Sequence, residues 1–255
     1  MQANRRSFLR SLGVLAAGLS FPVQGLGVGS ASQIQISQLV YPGGNWRPRP
    51  TALRRLAWEI HKRTAVETAL EPTEVKPVTR MLATSPIAYM SGDRPFPKWR
   101  DTAVHALGRF IKLGGTLIID PAVTTDGDPK GLELALDGLI EGVVSGTPRR
   151  DIPANHVLYR TFYQISRPVG RVEGPSTLSG YEIDGRFAVI RSRHDLGGAW
   201  ARDNLGNWEF DVVPGGERQR ETAFRLGVNM VLYSLCLDYK DEEPHRRFNP
   251  RLTGT

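Results

Sequence analysis

The side chains able to do chemistry fall into a few short stretches. "GGTLIIDP" (Gly114–Pro121) ends a run of apolar residues on Asp120, and "IRSRHD" (Ile190–Asp195) ends another on His194 and Asp195. "SGDR" (Ser91–Arg94) carries Asp93, "ANHVLY" (Ala154–Tyr159) carries His156, and "PGGNW" (Pro42–Trp46) sets Gly43, Gly44, Asn45 and Trp46 in a row. A carboxylate can serve as base, nucleophile or metal ligand, and a histidine as base or ligand. Asp120, His156, His194 and Asp195 drawn together could hold a divalent metal with an open position, the arrangement of a metal-assisted hydrolase. The chain has no His-x-x-x-His spacing, so neither a metal nor any other cofactor is expected, and a divalent ion enters only with the hydrolase alternative. His194 and Asp195 are adjacent, and in extended backbone their side chains point to opposite faces rather than forming one dyad. The other reading of Asp120 is a strand terminus that caps the next segment or binds loop amides. The two glycines of "PGGNW" permit close approach of a ligand to backbone amides, or a turn with Trp46 packed over the core.

These residues need elements to place them. Strands are expected at Ile34–Tyr41, Ala65–Leu70, Ser85–Asp93 and Thr116–Asp120, and in the Ser176–Asp195 segment on either side of a turn at Asp184-Gly185. Helices are expected at Pro50–Thr64, capped by Thr51, and at Lys98–Gly114, Leu132–Val143 and Glu221–Tyr239. Leu196–Gln219, rich in Gly, Trp and charge, reads as a long loop in which Trp200 and Trp208 could cover a ligand, meet a partner or form a satellite core, and Arg186 reads as solvated. Strands alternating with helices predict an α/β three-layer sandwich with a mostly parallel sheet. In such sheets ligands lie beyond the carboxyl ends of the strands. That rule gathers Gly43, Gly44, Asn45, Trp46, Asp93 and Asp120 onto one edge. His194 and Asp195 join them if their strand is parallel to the others.

The N-terminus specifies a destination. "NRRSFLR" (Asn4–Arg10) precedes a short apolar run, "SLGVLAAGLSF", and the small residues "GVGSAS". It resembles a twin-arginine export signal over residues 1–31, followed by one α/β domain over 32–240 and a tail over 241–255. The apolar run is too short for an ordinary membrane span. Membrane contact is therefore expected only through an uncleaved signal, with the mature chain in the periplasm or tethered facing it. Setting aside Arg5, Arg6 and Arg10 lowers the formal charge from +7 to +4. That excess is diffuse, without the dense basic and aromatic clustering of a nucleic-acid site, and no nucleic-acid partner is expected. The chain has a single cysteine, Cys236, so it has no internal disulfide and no thiolate cluster. Neither Gly-x-Gly-x-x-Gly nor Gly-Lys-Ser/Thr occurs, which leaves nucleotide binding unsupported.

The ordered pieces "LVYPGGNW", "SPIAYMSGD", "GRFIKLGGTLIID", "IPANHVLYRTFY", "IDGRFAVIRSRHDL" and "RLGVNMVLYSL" resemble the family of domain of unknown function 4159 across nearly the whole mature chain. The resemblance implies a class I glutamine amidotransferase-like, flavodoxin-like fold. It also implies an exported or membrane-tethered bacterial setting, near MoxR-type ATPases and von Willebrand A-domain proteins. It implies no reaction. In amidotransferases of that fold a cysteine stands on a strained turn after a buried strand; here "LIIDPAV" has Asp120-Pro121 instead. The expectation is an exported, non-catalytic binding or assembly module of the cell envelope, with an envelope protein or a small ligand as its partner.

Overall fold

The computed structural model describes residues 33–236. The twin-arginine segment, the last residues of the expected final helix and the tail 241–255 lie outside the described residues.

Seven strands form one sheet: β1 (Ile36–Leu39), β2 (Thr73–Val75), β3 (Ile87–Gly92), β4 (Thr116–Pro121), β5 (Arg150–Asp151), β6 (Ser179–Ile183) and β7 (Arg186–Arg191). Their spatial order is β2-β1-β3-β4-β7-β6-β5. The first five are mutually parallel, and β6 and β5 add an antiparallel margin. The chain winds outward from β1 to β2, then returns past β1 to β3, so the order reverses between β1 and β3. A crevice opens at such a reversal in doubly wound sheets.

Six helices cover the two faces: α1 (Ala52–Arg63), α2 (Thr79–Leu82), α3 (Asp101–Lys112), α4 (Pro129–Val143), α5 (Leu196–Trp200) and α6 (Gly216–Cys236). One core joins Leu53, Leu56 and Ile60 of α1, Trp200 of α5 and Phe224 of α6 to Ile36, Tyr89 and Ile118 of the sheet. The other joins Leu82, Leu107, Ile111, Leu136 and Ile140 to Leu39, Met90, Leu117 and Ile119. Alternation along β4 thus sends Leu117 and Ile119 to one face and Ile118 to the other, as the two-residue period of a strand requires. The result is the three-layer α/β arrangement, with a mostly parallel sheet, that alternating strands and helices predict.

Several expectations need correction. The strand expected at Ala65–Leu70 forms instead at Thr73–Val75. Only an isolated bridge, Ile34 to Thr68, occurs earlier, and the Thr68 hydroxyl donates to the carbonyl of Ala57. Thr51 precedes α1 but makes no side-chain cap; its hydroxyl donates to Glu209 and accepts from the Arg202 amide. Arg186 is not solvated. It follows the Asp184-Gly185 turn, where both residues have left-handed φ as in a tight hairpin, and donates to the carbonyls of Ile111 and Gly115. It thereby fastens the hairpin to the end of α3.

The expected long loop is shorter, with 201–215 left outside the helices and named strands. Leu196–Trp200 is helical, and α6 begins at Gly216 rather than Glu221. Trp200 does not cover a ligand: it is 1% exposed, tilted against Tyr89, and its indole N–H donates to the Ala223 carbonyl at 3.0 Å. Trp208 is half-buried against the same core. Trp200→Ala removes the side chain that joins α5, α6 and the sheet, and truncations of this kind cost about 3–5 kcal/mol. Urea denaturation is expected to show an unfolding free energy lowered by that amount, with a smaller loss for Trp208→Ala.

Candidate functional site

The carboxyl ends of β1, β3, β4 and β7 share one edge. β7 is parallel to β4, with Ile119 opposite Arg191, so His194 and Asp195 do arrive there. Asp120 lies opposite Ser91, on the Ile118 face of β4 beneath α5. It is 1% exposed. One carboxylate oxygen accepts the Leu196 amide at 3.0 Å; the other accepts the Gly197 amide and the Tyr89 hydroxyl, both at 2.7 Å. Burial, and the nearby charge of Asp195, push its pKa up to about 6 against the opposing pull of those hydrogen bonds. Tyr89, buried beside it, is pushed well above the ordinary phenol range by burial and by the Asp120 carboxylate.

Asp195 is fully buried and stands in left-handed backbone, φ 51° and ψ 58°, not the extended conformation expected of it. This geometry turns its side chain forward, where it accepts the Gly198 amide at 3.0 Å as the cap of α5. Arg49 grips both of its oxygens, Nε at 3.1 Å and a terminal nitrogen at 2.7 Å, and Arg171 adds a third contact at 2.5 Å. Both guanidiniums also donate to the carbonyl of Val123. Two acids therefore hold three consecutive amides, Leu196 to Gly198. His194 turns away from both. Its imidazole is buried between the Ser192 hydroxyl and the Pro175 carbonyl, and burial lowers its pKa.

The β1/β3 crevice is filled by the chain itself. Gly43 has φ +76°, and a Cβ there would come within 2.3 Å of the Pro97 ring. A Cβ on Gly92 would strike the Tyr41 hydroxyl at 2.4 Å. Asn45 donates to Asp93 at 2.9 Å, joining the two loops, and Arg94 and Thr124 donate to the same carboxylate. Burial raises the pKa of Asp93, but the hydrogen bonds from Arg94 and Asn45 outweigh it and hold the group below its ordinary value. Gly44 packs against the Tyr41 ring, and the Trp46 carbonyl accepts from Gln38 while its indole covers the second core. These residues meet as expected, but they meet one another.

His156 lies elsewhere. Its Nδ1 accepts the Leu158 amide, and its ring sits edge-on to Phe187 and Tyr233, at the amino end of β7. The set Asp120, His156, His194 and Asp195 is thus not brought together. Among the described residues no group of three His, Cys, Asp or Glu is placed to hold a metal ion. The open space at this edge lies to one side, a cavity of about 560 Å³ between the end of β4 and the start of α4. It is lined by Pro121, Val123, Lys130, Leu132, Leu134 and Arg193, with Val123 47% and Leu134 74% exposed. Sequence reasoning did not single out any of these, nor Arg49, Arg171 or Tyr89. Tyr89 carries a local signal, a phenol in a strand whose other hydroxyl is Ser91. The arginines carried none, since 146 residues separate Arg49 from Asp195.

Asp120→Ala strands two buried amides and a phenol, at about 1–3 kcal/mol for each lost partner. The native Asp120 holds a proton up to a higher pH than the unfolded chain does. Its contribution to stability is therefore present in full below the ordinary value of 3.8 and is lost as pH rises through about 6. His194, whose pKa burial lowers, contributes a slope of the opposite sign in this range, so the Asp120 share is read by difference: the melting temperature of the native chain minus that of Asp120→Asn is expected to fall as pH rises between those limits.

No curated protein matches this chain. A family model described as domain of unknown function (DUF4159) matches residues 35–235, which takes in the whole sheet and all six helices up to the last turn of α6. The chain belongs to that family.

Proposed function

We propose that the chain is an exported, non-catalytic binding or assembly module of the bacterial cell envelope, built on the class I glutamine amidotransferase-like variant of the doubly wound fold. The twin-arginine pattern of residues 4–10 supports export. The parallel order β2-β1-β3-β4-β7 and the helix–Gly-Gly–strand step into β4 support the fold reading. One observation carries the absence of catalysis. Where that fold would expose a nucleophile after β4, Asp120 is sealed from solvent and its oxygens hold two backbone amides and a phenol. A group so engaged anchors a loop; it neither attacks a substrate nor activates water. No observation favours the metal-assisted hydrolase, because His156 sits at the opposite end of β7 from Asp120.

The binding face in this reading is the groove beside β4 and α4. Val123 and Leu134 offer apolar surface there, and the cations Lys130 and Arg193 line it together with the acids Glu133 and Asp137. Such a mixture suits an envelope protein segment or a small amphipathic ligand.

Two measurements test the proposal. Fractionation of cells expressing the full chain is expected to place it in the periplasm or on the membrane, and Arg5→Lys with Arg6→Lys to retain it in the cytoplasm. Purified full chain is expected to show no turnover on amide, ester or glycoside panels, with or without zinc or manganese. Turnover that Asp120→Asn removes would overturn the non-catalytic reading.

A further inference from the structure

A second cavity, of about 460 Å³, lies away from the groove, between α1 and the turn that follows α5. Arg54, Arg55 and Trp58 of α1 line it on one side, Glu71 on another, and Arg202, Asp203 and Asn204 on a third. We infer that this cavity is a binding site for a small soluble ligand bearing a phosphate or carboxylate group, held between the guanidiniums of Arg202, Arg55 and Arg54. The inference does not depend on the groove reading.

The argument rests on how little negative charge the three arginines receive. Arg202 has no carboxylate within ion-pair distance among the described residues. Its Nε donates to the Gly206 carbonyl at 2.5 Å and its guanidinium lies 4.8 Å from the Trp208 ring, so its own turn holds it in place. The next residue, Asp203, does not compensate, because its carboxylate closes the turn on the amides of Leu205 and Asn207 and on the Asn207 side chain. Arg55 pairs with Glu59, but Glu59 is shared with Arg63. The Arg55 Nε is buried with no acceptor. Arg54 reaches Glu71 only at 3.8 Å, and Glu71 is mostly in solvent.

The cations also crowd one another. The guanidiniums of Arg55, Arg202 and Arg220 lie 5.7, 4.8 and 4.3 Å from the one Trp208 ring. Burial depresses the Arg55 pKa; Glu59 opposes that fall, and Arg202 adds to it. Trp58 covers Arg55 at 4.1 Å and limits its access to water. Guanidinium forks match the spacing of phosphate and carboxylate oxygens, and an anion between them relieves like-charge repulsion as well as forming charge-assisted bonds.

The test is titration calorimetry of the full chain with inorganic phosphate, pyrophosphate and glutarate, with glycerol as the neutral control. Saturable binding of at least one anion is expected. Arg202→Gln is expected to weaken it by about tenfold or more, the size of a lost charge-assisted bond. Arg54→Gln, whose side chain is 41% exposed, tests the same site without touching the core. Arg109→Gln, on exposed α3 surface, is expected to bind like the native chain. Thermal melts separate loss of binding from loss of fold. Absence of saturable binding, or equal affinity in all three variants, overturns the site. Arg202-dependent sedimentation with phosphatidylglycerol vesicles, without binding of the free anions, overturns the soluble ligand.

Discussion

Everything at the carboxyl edge depends on two buried carboxylates that must find partners. Asp120 and Asp195 lie close enough for each charge to be felt by the other, in a site without water access. A bare acid there would be prohibitive. The chain resolves this by bending at Asp195 into left-handed backbone, so that the next three amides are divided between the two acids. The strain of that bend is held by Arg49 and Arg171, which arrive from distant segments and clamp the Asp195 carboxylate. The same arrangement drives Trp200 into the core against Tyr89, and Tyr89 in turn binds Asp120. A network of this kind is fully satisfied or strongly destabilising, with little between.

That constraint limits what the edge can do. In a doubly wound sheet the crevice between β1 and β3 is the usual place for a ligand. Here Tyr41, Asn45 and Pro97 occupy it, and Asp93 is bound to three neighbours. The acids that would have made this edge reactive instead close it. The remaining open surface lies beside β4, where apolar side chains stand among charges of both signs.

How far this was legible in the sequence follows from the range of the interactions. β3, β4, α3 and α4 rest on local periodicity, and the sequence pattern located them to within a few residues. The hairpin turn at Asp184-Gly185 announces its own geometry. α5 does not. Its Gly-Gly start disfavours a helix, and its stability comes from Asp120, 76 residues away. Arg186 looks solvated by its neighbours in sequence, and only the folded chain brings it to the carbonyls at the end of α3. Asp120 was correctly placed at the strand end. Which of its two readings applied depended on Tyr89 and α5, and so on tertiary structure.

One further property emerges from counting partners rather than contacts. Acidic groups in this domain are shared. Asp195 serves Arg49 and Arg171, Glu59 serves Arg55 and Arg63, and Glu221 serves Arg63 and Arg225. Glu133 and Asp137 each serve Arg149 and Arg191. Asp195, Glu59 and Glu221 thus each stand between two guanidiniums. Sharing stabilises the fold, because each acid ties two elements together. Among the described residues, Arg202 has no acid of its own, and Arg54, Arg55 and Arg202 meet where α1 faces the turn after α5. An anion from outside completes there what the chain completes for itself at Asp195.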